Sequence, residues 1–182
     1  MVIELPDMEK RDGTDAECLL TVTGDTALLN TFDKAFRSGI GPQWADRPSS
    51  SVPRYSLHAL FPVPEKVKCR GFSTAGRLWC ESYWGTEGDL RDIQVKRILG
   101  ERRYHFFVPG NPPVSFFRAV SRTYPGLEFY LAAFGRDNNS WFGKFEDVLH
   151  QYRFEDGAYT GSHSRDTEHT FDHLLKEMGF QS

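Results

Sequence analysis

Hydrophobic and polar positions alternate along this chain in blocks that change period several times. Glu17 to Thr23 (Glu-Cys-Leu-Leu-Thr-Val-Thr) is a run of β-formers closed by Gly24 and predicts a strand. Asp25 is placed to cap a helix by accepting backbone N–H bonds. Leu28, Leu29, Phe32 and Phe36 then recur at helical spacing as one apolar stripe, ended by Gly39 and Gly41. Residues 42–53 hold three prolines and Ser49-Ser50-Ser51 and read as a loop. Tyr55 to Phe61 alternates well enough to predict a second strand, stopped by Pro62-Val63-Pro64. Residues 65–77 fit no single period, and Leu78 to Trp84 reads as a short helix or turn.

Asp92 to Leu99 and Arg103 to Val108 predict a hairpin turning at Gly100-Glu101. Asn111 and Pro112 are the expected cap and first position of a helix carrying Phe117, Val120 and Tyr124, broken by Pro125-Gly126. Leu127 to Phe134 is almost continuously apolar, as a central strand requires, and Gly135 to Ser140 reads as a turn. Trp141 to Tyr152, reaching Phe154, predicts a returning strand; residues 155–166 read as a polar, Gly-rich loop. Thr167 to Met178 is an amphipathic helix with Phe171, Leu174, Leu175 and Met178 inward. The predicted fold class is α+β: a ferredoxin-like sandwich, a mainly antiparallel sheet with helices on one face, plus a C-terminal helix. One domain is expected over 1–182, with a loose arm at 1–14, a core at 15–154, and a polar loop and helix at 155–182.

Composition changes this picture in one respect. Hydrophobic residues are only 39% of the chain, but aromatics reach 14% with 15 Phe, so the core is to be built from rings. A net charge of −3 supplies no global field for phosphate backbones. Lys96-Arg97 and Arg102-Arg103 form a short basic strip, expected to be the solvated ends of two strands. Cys18, Cys69 and Cys80 make an odd count without a CxxC pair, which fits a reducing cytosol and is read as three small buried hydrophobes. No signal peptide and no stretch near the ~18 apolar residues of a membrane span is found, so a cytoplasmic protein is expected.

Candidate chemistry is sparse. Trp79, Tyr83 and Trp84, followed by Gly85, Thr86 and Glu87, could display a stacking platform for a base or an anchor for a partner protein. The competing reading packs these rings against one end of the sheet, and large tryptophans favour that reading. Trp141 is a further exposed-aromatic candidate. His169 and His173 stand four apart on one helical face and, with His163, Asp166 or Glu168 to complete the site, make a weak metal candidate against a solvated helix face. No catalytic residue, resident metal or cofactor is assigned, and phosphate-cradling Gly motifs are absent.

An ordered set of short motifs covers most of residues 17–145. It comprises Cys18-Leu19-Leu20-Thr21-Val22-Thr23-Gly24, then Phe32 or Phe36, Phe61-Pro62-Val63-Pro64-Glu65, Trp79 with Trp84-Gly85-Thr86, Pro112-Pro113, Tyr124-Pro125-Gly126-Leu127-Glu128-Phe129 and Phe142-Gly143. In these motifs the chain resembles the YubB-type ferredoxin-like domain family of phage and plasmid proteins, whose biochemical role is uncharacterised. It departs at Glu87-Gly88, where that family has Lys and Trp, and at Gly110-Asn111, where it has Trp-Ser. The resemblance implies a non-enzymatic interaction protein of a mobile genetic element in a bacterial cytoplasm. It would bind a host or phage protein rather than nucleic acid, as a defence-system inhibitor such as an anti-CRISPR, or as a regulator. The alternative is a small metal- or His/carboxylate-dependent enzyme or binder acting on nucleic acid or nucleotides.

Overall fold

A computed structural model describes residues 15–47, 53–137, 146–164 and 168–180. The first strand, β1 (Asp15–Gly24), leads into α1 (Thr26–Phe36), whose first turn is capped by Asp25: its carboxylate accepts from the amides of Ala27 and Leu28. Next come α2 (Leu57–Leu60) and α3 (Glu65–Lys68), a π-helical turn (Phe72–Gly76), and α4 (Arg77–Tyr83). The hairpin β2 (Arg91–Ile98) and β3 (Glu101–Pro109), helix α5 (Val114–Thr123), strands β4 (Leu127–Asp137), β5 (Glu146–Glu155) and β6 (Ala158–Ser164), and helix α6 (Glu168–Glu177) complete the order. The strands form one sheet in the order β2-β3-β1-β4-β5-β6, every neighbouring pair antiparallel.

Strand alternation sorts the side chains into two layers. On one face Cys18, Leu20 and Val22 of β1 join Tyr104, Phe106, Phe129 and Leu131 beneath α1 and α5, where Phe32, Phe36, Phe116, Phe117 and Val120 are buried. Phe32 meets Phe129, Tyr104 and Tyr124 edge-on at centroid distances of 5.4, 6.1 and 5.3 Å, an arrangement suited to the ring quadrupoles. On the other face a smaller cluster of Leu19, Ala132 and Leu149 is covered by Phe171, Leu175 and Phe180 from α6 and its end. The helices therefore do not all share a face: α1 and α5 do, and α6 lies opposite.

Several expectations are corrected. Tyr55–Phe61 is not a strand: Ser56 caps α2 through the amide of His58, and the partly buried Asp89 carboxylate holds the start of the helix through Leu57 N–H at 2.7 Å. Asn111 does not cap α5. That helix begins at Val114 after Pro113, with no side-chain cap, and is anchored by Phe116 N–H donating to Trp84 O at 3.1 Å. Residues 158–164, read as loop, are strand β6, because pairing to β5 satisfies a polar backbone that has no apolar pattern of its own. Strand β4 runs on through Asp137, two residues past the Gly135 expected to begin a turn. Cys69 is exposed, unlike Cys18 and Cys80. Nor is the basic strip merely solvated. Arg97 bonds Asp33 and Tyr55, Arg102 bonds Asn30, Arg103 reaches Glu101 and Glu177 O, and Lys96 donates to Gly179 O. Among the described residues no helix is long and apolar enough to cross a membrane.

Candidate functional site

Helix α4 is set by three anchors that the chain places far apart. Asp46, in the loop after α1, accepts from the amides of Phe72 and Ser73 at 2.6 and 2.9 Å and so caps the π-helical turn that runs into α4. These two backbone bonds hold its carboxyl below the usual carboxylate range. Cys80 in α4 and Trp84 at its C-cap are buried four residues apart. At the far end Gly85 takes φ 83°, the left-handed C′ position that ends a helix, and its N–H and that of Trp84 both donate to Cys80 O. Thr86 then donates to Pro109 O at 2.6 Å, and Glu87 N–H to the same oxygen at 3.0 Å, tying the Trp-Gly-Thr turn to the end of β3.

The rings of this segment divide between packing and display. Trp84 has no exposed surface; its indole N–H donates to Phe61 O at 3.0 Å and its ring meets Phe116 edge-on. Trp79 sits across it at 5.5 Å and 82°. Tyr83 stacks on Trp79 at 4.9 Å and 24°, and Phe61 closes the group edge-on to both. Outward, Tyr83 is 52% exposed and Leu78, next to Trp79, is 66% exposed. The result is an aromatic ledge of Phe61, Trp79 and Tyr83, supported from below by a buried tryptophan. Arg77 borders it, bonding Glu81 at 3.0 Å and Glu87 at 2.9 Å.

Nothing at the ledge prepares a nucleophile. Burial and the nearby Asp89 push the Cys80 thiol up to about 12, the reverse of what an attacking thiolate needs. Asp89 is itself raised by burial, while Ser56 Oγ–H, Leu57 N–H and Leu90 N–H hydrogen-bond it. It ties α2 to the approach to β2.

The other candidates are dispersed. Trp141 lies outside the described residues, as do the side chains of His163 and His169. The backbone of His163 pairs with His150 across β5 and β6, while His173 is exposed beside Glu177 at 3.6 Å. Among the described residues no three His, Cys, Asp or Glu side chains converge as a metal site would require. Sequence reasoning did not single out two features of the α6 face. One is the buried pair of His105 Nε2 and Glu17 Oε1 at 2.8 Å, flanked by Phe107 and Phe180. The other is a shallow depression of about 240 Å³ lined by Thr21, Thr23, Glu128, Phe129, Tyr130 and Arg153. Strand alternation would have placed Glu17 and His105 on one face, but only the register of β1 on β3 brings them together.

No family model matches the chain, and no curated protein does. The fold is similar to the crystal structure of the protein api92 from Yersinia pseudotuberculosis, a DUF1281 protein. The TM-score is 0.57 at 8% identity, over 83% of this chain and 98% of that one. At that identity the likeness is one of fold alone.

Proposed function

We propose that this chain is a non-enzymatic interaction protein that docks another protein on the aromatic ledge of α4. One observation carries the reading: Tyr83 is half exposed yet held in a fixed stack on Trp79, above the buried Trp84. Rigid, amphipathic rings with a water-facing side are the favoured anchors of protein interfaces, because little side-chain entropy is lost when they are covered. The bordering charges, Arg77 with Glu81 and Glu87, are paired with one another and leave the rings as the distinguishing feature. Glu87, where this chain departs from the family it resembles, lies at this border and would tune the choice of partner.

The proposal extends to lineage. The unit β1-α1-β2-β3-α5-β4, with strand order β2-β3-β1-β4, supports a ferredoxin-like core to which β5, β6 and α6 are added. That reading accords with the resemblance to YubB-type domains, and with it a role in a phage or plasmid, in a bacterial cytoplasm, as a defence-system inhibitor or regulator.

The test compares the parent with Trp79→Ala/Tyr83→Ala and with Tyr83→Ala alone, each immobilised and exposed to extract of a bacterial host, bound proteins being quantified by mass spectrometry. A protein retained by the parent and lost from Tyr83→Ala, whose melting temperature stays at the parent's, is the expected result. A captured set identical across all three chains would defeat the proposal.

A further inference from the structure

The sheet ends in two edges that are built differently. At the β2 edge the register to β3 breaks between Arg91 and Gln94, and Asp92 stands in the left-handed region at φ 56°. Charges at Arg91, Asp92, Lys96 and Arg97 line the strand. A bulge and a row of charges are the means by which an edge is kept from adding another strand. The β6 edge has neither. It pairs with β5 in unbroken register from Ala158 to Ser164, contains no Asp, Glu, Lys, Arg or Pro, and is exposed over 158–162. Among the described residues no strand lies beyond it.

This edge is also held in shape. Gly157 N–H donates to Ser121 Oγ at 2.9 Å, and Gly157 O accepts from Arg118 Nε at 3.1 Å, fixing the β5–β6 turn on α5. The Arg118 guanidinium lies over the Tyr159 ring, which stacks on Phe154. At Gly161 the ring of Tyr152 occupies the place of a side chain: a Cβ there would come within 2.8 Å of it. An edge glycine covered by an aromatic from the next strand is a stabilised strand position. The outer backbone groups of β6 are thus presented in order, with no charge to repel an added strand.

We propose that β6 pairs antiparallel with β6 of a second copy of this chain, about a two-fold axis at Gly161, joining the two six-stranded sheets into one. A symmetric interface sets a strand against itself, so any charge on it meets like charge or needs its opposite at the mirrored position. β6 carries no Asp, Glu, Lys or Arg, and the residue at its midpoint, where identical positions meet, is a glycine. In this register Thr160 stands opposite Ser162 of the second copy. A seven-residue ladder is small beside the interfaces of permanent dimers, so the dimer is a weak one, with Kd on the order of micromolar. The pairing uses an edge distinct from α4 and stands independently of the function proposed for that helix.

Sedimentation equilibrium of the full chain, carried to several hundred micromolar, tests it. The parent is expected to pass from monomer to dimer with rising concentration. Thr160→Lys/Ser162→Lys, at two exposed sites, should raise the dimer Kd by more than about tenfold, since like charges are then directly opposite. Thr160→Lys/Ser162→Glu should restore it, because each lysine then meets a glutamate across the axis. Circular dichroism melts verify that both variants fold. A parent that stays monomeric throughout, a dimer indifferent to the paired lysines, or a failure of the lysine–glutamate variant to dimerise overturns the proposal. So does a monomer whose β6 edge takes up a strand from a different protein.

Discussion

At the scale of single residues, the two adjacent rings at the end of α4 have opposite duties. Trp84 is fully buried and spends its indole N–H on Phe61 O, so Trp84→Ala removes both ring contacts and a buried hydrogen bond. A loss of about 3–5 kcal/mol is expected in denaturant unfolding. Tyr83, half exposed, should cost far less. Neighbours in sequence, the two differ because one helical residue is a turn of about 100°, which carries a side chain from the core to the rim. Asp46 supplies a pH dependence. Its folded-state carboxyl is lowered by the amides it caps, so the stability it contributes is present above its ordinary value near 3.8 and is lost as pH falls through the lower folded value. Far-UV circular dichroism should show the helical signal of the parent declining in that acid range, and Asp46→Asn should abolish the decline attributable to this site. A titration identical in parent and variant would remove Asp46 as the cap that matters.

Among the three long helices, α6 rests on the smaller of the two apolar clusters. That cluster has six buried residues, three of them from α6 and its end, against the much larger set that α1 and α5 share with the sheet. Two cations from the hairpin complement its C-terminal end, Lys96 on Gly179 O and Arg103 on Glu177 O, where the helix dipole is negative. Phe171→Ala should therefore release α6 before the sheet. In hydrogen exchange the amides of 168–177 are expected to lose protection while those of β1, β3 and β4 keep theirs. Simultaneous loss across all of them would mean that α6 belongs to the same cooperative unit.

For the whole molecule, the net charge of −3 combines with the internal commitment of the basic strip: Lys96, Arg97, Arg102 and Arg103 are each bonded within the fold. Cations so engaged are poorly placed to gather phosphates, and binding to random duplex or single-stranded oligonucleotides at physiological salt should be weak. Micromolar or tighter binding that falls steeply with added salt would contradict this and favour a nucleic-acid role over a protein partner.

The sequence by itself determined β1, α1, the hairpin, α5, β4 and α6, because in each a strong apolar period or a cap is confined to a dozen or so neighbouring residues. It also determined which rings could matter at residues 79–84. Tertiary structure decided what depends on distant partners. Leu57–Leu60 is helical because Ser56 and Asp89 satisfy its first amides, a contact spanning 32 residues for which local alternation carries no signal. Residues 158–164 are a strand because β5 offers them a ladder, although their own pattern is that of a loop. Whether Trp79, Tyr83 and Trp84 were packed or displayed could not be read from composition, since burial is a property of what lies across the helix. Phe116, arriving from elsewhere in the chain, meets the Trp84 ring and Phe61 O accepts its indole N–H, while Tyr83 is left stacked on Trp79 and facing water. Periodicity fixes the side of an element on which a residue stands; only the assembled fold fixes whether anything stands against it.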